Sequence, residues 1–541
     1  MVCKVKRCCF IVLLLLAAFI AVFAGSADAA GKTLGLVYPN EPPTMDVQLN
    51  TSDYMVPYNV FDRLVEKVAD PATREPKLIP GLAESWSVSK DGKVYTFKLR
   101  KNAKFSDGTP VKASDVLYTF NRMFDPATKS LQTSYFDMIV GAKDVLAGKK
   151  KTIDGIKADG DYTVQMTLEE PFPPFVDTNI TDPAGSIYSE KFTKAKGDKF
   201  GLSPEDTMGS GAYVLKEWVL DSYHVLEANP NYWRGKPGAD TVRIHIAGDP
   251  ETARMMFETG DIDIFDCDTA PSQIPYFRGS AKWKKHMVKT LRIGLRYLAM
   301  NVAQPPLDNL NVRKALQMAV PRKEILDAVY YGTGVLPHNI LAKGTYPYQP
   351  NPTSKINYDP AAAKKLLEKS GLKLPVAIEF SFSNAGSSGR AYSRMGELLQ
   401  ATMGKAGFVV KVSPLDEAVF VDKRTSGSLM LYPGSRSDAD ADPYFYKFFY
   451  SGKDVNMSRS RSINLNNPQV DKLILQARSE LNPQKRIDEY RELDNMITHK
   501  LAAFLPLFNM EHYFVISPKV KTFIPNVLGW GDFMVYWTEM N

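Results

Sequence analysis

From Glu84 onward, apolar and polar residues alternate in short runs broken by Asp-Gly pairs, the signature of β-hairpins. In ESWSVS, Trp86 and Val88 fall on one face, Asp91-Gly92 supplies a turn, and VYTFKLR returns with Tyr95, Phe97 and Leu99 in alternation. The pattern recurs in IKADGDYTVQMTL, where Asp159-Gly160 precedes Val164, Met166 and Leu168. A third pair of runs, GAYVLKEW and SYHVLEAN, ends at the aromatic turn NPNYWRGKP. Between these hairpins the period changes to that of a helix. After the turn residues of FSDGTP, Val116, Leu117, Phe120, Met123 and Phe124 share one helical face. Ser114 is the expected N-cap, and Asp115 beside it suits the positive end of the helix dipole. KKLLEKSG, YSRMGELLQATMGKAG and VDKLILQARSELNPQKRIDEYRELDNMITHKL carry the same period later. Strands and helices interleaved over several hundred residues predict an α/β fold.

The N-terminus changes the picture, because it places the chain. MVCKVKR is basic, CCFIVLLLLAAFIAVFA is continuously apolar, and GSADAA offers Ala27-Asp28-Ala29 as an A-x-A cleavage site. This is the layout of a secretory signal peptide cleaved near Ala29; the alternative is a retained anchor, since the run approaches spanning length. Cys8 and Cys9 precede the apolar core, whereas a lipid-bearing cysteine would follow it. No second long apolar run appears, so a soluble exported protein is expected. Cleavage removes Cys3, Cys8 and Cys9 and leaves Cys267, which cannot form an internal disulfide. Stability then has to come from a large core. The 36 Pro and 35 Gly are spread without repeats, as in a compact fold with many turns. A formal charge of +7 is mild for 541 residues, and Lys149-Lys150-Lys151 reads as a solvated loop, so no nucleic-acid partner is expected.

Chemistry is sparse. There is no G-x-x-x-x-G-K-[ST], H-E-x-x-H or G-x-S-x-G. GSGAYV at 209–214 has two glycines of a dinucleotide fingerprint but opens a strand, and reads as a tight turn. His224, His245, His286, His338, His499 and His512 are dispersed, with no partner at metal-ligand spacing. Cys267 sits among aspartates, which raise a thiol's pKa and disfavour a catalytic thiolate. The residues therefore point to binding, with no enzyme activity, cofactor or metal expected.

At this point a resemblance enters. KLIPGLAESWSVSKDGKVYTFKLRKNAKFSDGTPVKASDVLYTFNRM is similar to the signature segment of the peptide/nickel class of ABC-transporter solute-binding proteins. EPPTMD, TMGSGAYVLKEW, NPNYWRGKP, FETGDIDIFD, MNVAQPPLDNLNVRKALQMAVPRKEIL and NPQVDKLILQAR resemble further motifs of that class, in family order and across nearly the whole mature chain. The chain departs from the pattern in two places. Pro321-Arg322 stands where the family has Asp-Arg, and LYPGSRSDADADPYFYKFF lacks a Trp that members often carry. The family's cleft aspartate falls at Ala439, bracketed by Asp438 and Asp440.

The resemblance implies a two-lobed, three-domain clamp with a hinge. Lobe one would comprise residues 31–75, 200–297 and 505–541, with an extra hairpin domain at 76–199; lobe two would be 298–504. It implies capture of di- or oligopeptides in the interlobe cleft by a periplasmic monomer. Delivery would be to a permease and ATPase complex in the inner membrane. A non-peptide solute on the same fold (nickel chelate, sugar or opine-like compound) and a secreted hydrolase are the alternatives. Candidate ligand contacts follow. Tyr54 and Met55, with Thr44 nearby, lie where members line the cleft, the alternative being ordinary packing. Arg390 and Arg394, which follow the small-residue loop of FSNAGSSGR at the expected start of a helix, and Arg436 are candidates for an anionic group, which a guanidinium holds bidentately. Asp440 and then Asp438 are candidates for a ligand ammonium.

Overall fold

The computed structural model describes residues 31–541 apart from 71–72, 74, 349–354, 438–439, 453–462 and 527–532. The expected signal segment, its cleavage site, and Asp438 and Ala439 thus lie outside the described residues. No described helix is long and apolar enough to cross a membrane.

All three hairpin patterns form. Ala83–Val88 pairs antiparallel with Val94–Leu99, setting Trp86 opposite Phe97. Val94–Leu99 then pairs with Thr163–Thr167, whose other neighbour is Ile156–Ala158. The alternation has a physical purpose: Tyr95, Phe97, Leu99, Val164 and Met166 all turn into one core, where they meet Val116, Phe120, Met123 and Phe124 of the helix Ala113–Phe124. Val88, by contrast, is exposed. The cap of that helix differs from expectation. It starts at Ala113, so Ser114 lies inside it, and the Asp115 carboxylate accepts the Lys112 backbone N–H at 2.9 Å instead.

A second core surrounds a four-stranded sheet in the order Thr33–Tyr38, Thr241–Ile246, Tyr223–Ala228, Tyr213–Val219, the first pair parallel and the others antiparallel. Its buried side chains include Leu34, Leu36, Tyr213, Leu226 and Ile244.

The largest sheet runs Ile264–Asp266, Phe504–Ile516, Met287–Met300, Leu431–Arg436, Val376–Ser383, Phe408–Leu415, with Gly334–Val335 also on Phe504–Ile516. The strands Met287–Met300 and Phe504–Ile516 are its spine. They pair from Met287↔Val515 to Ala299↔Phe504, interrupted where Arg292, Ile293 and Gly294 bulge between Leu291↔Glu511 and Leu295↔Asn509. Both strands run through positions expected as lobe boundaries. Phe408–Leu415, Val376–Ser383 and Leu431–Arg436 are mutually parallel. Cores on the two faces of this sheet hold Leu298, Phe380, Leu399 and Phe508 on one side, and Tyr297, Phe448, Tyr490 and Phe504 on the other. The architecture is the two-lobed α/β fold.

The lobes touch at the far end of the hairpin sheet. Arg478, on the helix Pro468–Ser479, places its guanidinium 4.4 Å from the Phe172 ring centroid. Leu481, in the break before the helix Pro483–Asn495, lies so close to the Asp91-Gly92 turn that a Cβ on Gly92 would come 2.6 Å from its Cδ2.

Candidate functional site

Parallel strands ending side by side leave a crevice beyond their carboxyl ends, where the backbone turns away into helices. In this chain that crevice is a cavity of about 360 Å³. Ser383 closes the strand Val376–Ser383, and Ala385, Ser388 and Tyr392 belong to the loop and first turns of the helix Gly386–Thr402. The helix Glu417–Thr425 presents Glu417, Phe420 and Arg424, spaced i, i+3, i+7 and so on one face. Pro433, Gly434 and Ser435 form the wall, with Tyr297 behind them. Tyr297 and Gly434 are direct cross-strand partners, and the ring lies over the glycine: a Cβ there would sit 2.5 Å from the ring.

The wall strand has an open side. Leu431–Arg436 pairs residue for residue with Met300 through Leu295 on one edge. On its other edge it meets Val376–Ser383 only at Phe380↔Leu431. Past Leu431, the residues Pro433, Gly434 and Ser435 have no ladder partner in Val376–Ser383 and border the cavity instead. Unpaired strand edges are templates for an added extended segment.

Charge is distributed unevenly around this edge. Glu417 faces the cavity and accepts the Ser383 hydroxyl. Behind the Tyr392 side, Arg296 pairs across the strand with Ser435, and its Nη1 lies 3.4 Å from the Tyr392 hydroxyl. The guanidinium stands 5.4 Å from the Tyr330 ring. Arg292, on the bulge, is ion-paired with Asp268. Burial and the neighbouring Arg296 lower the Arg292 pKa to about 10. Beyond the strand, Asp440 is buried. Its Oδ1 accepts from Arg486 Nη2 and from the Asp442 backbone N–H, each at 2.8 Å. Burial pushes its carboxyl up, against the pull of Arg486. Asp442 pairs with Arg478 at 2.8 Å and accepts the Tyr490 hydroxyl at 3.1 Å.

A family model described as bacterial extracellular solute-binding proteins, family 5 Middle, matches residues 77–456. The chain belongs to this family. Among curated relatives, the probable D,D-dipeptide-binding periplasmic protein DdpA of Escherichia coli K12 is 27% identical over 490 residues, covering 90% of each chain. Among solved structures, NikA from Brucella suis in complex with Fe(III)-EDTA has a TM-score of 0.79 at 23% identity, covering 94% of this chain and all of that one. Haemophilus influenzae OppA in complex with RPPGFSPFR has a TM-score of 0.72 at 23% identity, covering 94% of this chain and 99% of its own. These two structures establish the shared fold.

Within this family member, none of the described side chains singled out from sequence lines the 360 Å³ cavity; Asp438 lies outside the described residues. Arg390 and Arg394 are exposed on the helix that supplies Tyr392, and Arg394 donates to the Tyr331 hydroxyl at 2.9 Å. Arg436 follows Ser435 and lies 5.3 Å from the Phe448 ring centroid. Thr44 is buried and committed: its hydroxyl donates to Gly201 O and accepts from the Asp46 N–H, both at 3.1 Å. Met55 is 2% exposed in a helix that packs into the core of the four-stranded sheet. The Tyr54 hydroxyl donates to Asn50 O at 2.9 Å and accepts from Gln132 at 3.0 Å. The sequence reading missed Tyr297, Tyr392, Glu417, Phe420, Arg424 and Gly434. The one signal for them was the small-residue loop FSNAGSSGR between a strand and a helix. Cys267 is buried, and its thiol is pushed up first by burial and then by Asp266. Among the described residues no group of three His, Cys, Asp or Glu side chains is placed to hold a metal ion.

Proposed function

We propose that the chain is the solute-binding component of an ABC importer, taking di- or oligopeptides from the periplasm. Lobe one is residues 31–75, 200–297 and 505–541 with the hairpin domain at 76–199, and lobe two is 298–504. The protein is exported by removal of a signal peptide near Ala29, acts as a monomer without cofactor or catalysis, and presents its closed form to a permease and ATPase complex in the inner membrane.

The observation that carries the peptide reading is the strand edge at Pro433, Gly434 and Ser435, which borders the cavity with no ladder partner in Val376–Ser383. An extended ligand backbone satisfies that edge strand-fashion whatever its side chains are, which gives affinity with loose sequence preference. Asp440 is the first candidate for a ligand ammonium and Asp438 the second; Asp440 follows the wall strand beyond its Arg436 end. Arg436, at that same end of the strand, and Arg390 and Arg394, on the helix that supplies Tyr392, are the candidates for an anionic group, and Tyr54, Met55 and Thr44 belong to the facing lobe. DdpA and OppA are described with peptide ligands, in keeping with this reading. A cavity of about 360 Å³ is at the small end for ligand sites, which favours dipeptides over long peptides. The same compactness also accommodates a non-peptide solute, the second reading; NikA is described with Fe(III)-EDTA.

Native mass spectrometry of protein released gently from the periplasm decides between them. A series of co-purified masses matching short peptides is the expected result. One discrete non-peptide mass would replace the peptide reading with the second, and turnover of a bound ester or amide would replace both with hydrolysis.

A further inference from the structure

A guanidinium taken out of water without a counter-charge is costly unless something else compensates it. Arg292 has Asp268. Among the described residues Arg296 has no carboxylate partner: its polar contact is the Tyr392 hydroxyl, and its Nε is inaccessible with no hydrogen-bond partner. The Arg292 Nε and the Tyr330 hydroxyl beside it are in the same condition. Three unsatisfied donors thus gather behind one wall of the cavity, where burying polar groups is most expensive.

The contact with Tyr392 has a directional consequence. Arg296 Nη1 donates to the Tyr392 oxygen, so the phenolic proton is left to donate elsewhere. Tyr392 lines the cavity, together with Ser435, the cross-strand partner of Arg296. Glu417, held by Ser383, lies on the other helix with Arg424 two turns beyond it, so the end of the cavity beside Glu417 repels an anion.

We propose that the solute carries a carboxylate that seats on the Tyr392 hydroxyl, and that Arg296 is the positioning residue whose charge makes that seat selective for an anion. This rests on the solute-binding reading above. The carboxylate is either the terminus of a peptide or an acidic side chain.

Calorimetry with three tripeptide probes distinguishes the sources: Ala-Glu-Ala, Ala-Gln-Ala, and the C-terminal amide of Ala-Glu-Ala. The wild-type protein should bind one of the two neutralised peptides about tenfold or more weakly than Ala-Glu-Ala, and which one it is identifies the carboxylate. Arg296→Met and Tyr392→Phe should bind all three alike. Wild-type binding indifferent to both neutralisations overturns the proposal, as does full discrimination surviving in the variants. If Arg296→Met does not fold, Tyr392→Phe, which removes a single hydroxyl, decides. If neither the tripeptides nor the dipeptide Ala-Glu binds the wild type, the peptide reading falls on its own, and succinate against succinamide decides the anion seat. A melting-temperature rise with succinate only, lost in Tyr392→Phe, supports it; no rise, or an equal rise in the variant, overturns it.

Discussion

Gly434→Ala tests whether the wall strand and the cavity form one functional unit. The added Cβ would lie 2.5 Å from the Tyr297 Cζ and Oη and 2.7 Å from its Cε2, whereas carbon contacts are comfortable at about 3.5–4 Å. About 1 Å of relief is therefore required. Tyr297 cannot supply it, being 5% exposed with its ring centroid 4.5 Å from that of Phe504 and 5.5 Å from that of Phe448. The strand Leu431–Arg436 has to move instead, and its free side faces the cavity. Overpacking of this kind costs about 1–3 kcal/mol. A 1 Å shift takes a backbone hydrogen bond from about 2.9 Å beyond its useful range. Losing one or two such bonds at about 0.5–1.5 kcal/mol each weakens binding by roughly tenfold. Calorimetry with whichever short peptide co-purifies should show that loss, together with a lower urea midpoint. Tyr297→Leu, placed on top of Gly434→Ala, should recover most of both by emptying the space over the glycine. Unchanged affinity and midpoint in Gly434→Ala, or no recovery in the double variant, would refute the reasoning.

Asp440→Asn keeps the helix cap, since Asn caps as well as Asp. It removes the charge, and it should weaken a free-amine peptide by about one to two decades while leaving its N-acetylated form unaffected. A drop in stability with an unchanged free-to-acetyl ratio would make Asp440 solely the partner of Arg486. Asp62, buried beneath Trp233 Nε1 at 3.0 Å, has its pKa raised from 3.8 to about 7 by burial first and Glu66 second. Its folded carboxyl takes up a proton near pH 7 and the unfolded chain does so only near pH 4, so lowering the pH through this window stabilises the native state. Relative to Asp62→Asn, the wild type should therefore gain about 2–3 kcal/mol between pH 8 and pH 5 in urea titrations, and parallel profiles would exclude this assignment.

What was legible in the sequence is what depends on neighbours along the chain. The hairpins declared themselves because a period of two and an Asp-Gly turn are local, and the helical faces because 3.6-residue spacing is local. The cap at Ser114 failed by one turn geometry: Asp115 reaches back to the Lys112 N–H, so the helix begins before the serine. The site was legible only where it coincided with such a local signal, in the loop FSNAGSSGR. Tyr297, Gly434 and Phe420 meet because the spine strand Met287–Met300 lies beside Leu431–Arg436, a sheet order that no spacing announces. Charge drew attention to Asp440 and the arginines, but their partners are remote: Arg486 lies 46 residues beyond Asp440. Thr44 and Met55 looked available because burial cannot be read from residue type alone.

If Asp440 meets the solute as proposed, its placement beside Asp442 would tie capture to the contact between the lobes. One short stretch leaves the open-edged strand at Arg436 and reaches the helix Ala441–Phe449, carrying Asp440 to Arg486 and Asp442 to Arg478. Arg478 is also the residue that lies against Phe172, a member of the hairpin-sheet core, and its guanidinium stands 4.0 Å from the Tyr446 ring centroid. Leu481, two residues past the end of the helix Pro468–Ser479, seats on the Asp91-Gly92 turn, where a glycine with φ of 71° leaves room for it. The interlobe contact and the ligand edge therefore share one set of ion-paired side chains rather than occupying independent surfaces. A cation arriving at Asp440 competes with Arg486 for its carboxylate, and Asp442, Arg478 and Tyr490 are bonded to the same stretch. A ligand shifts an equilibrium only through contacts that differ between states. Among the described residues, Asp440 and Asp442 join the end of the wall strand, through Arg486 and Arg478, to the surface on which the hairpin domain rests, so a ligand that contacts Asp440 would register that difference.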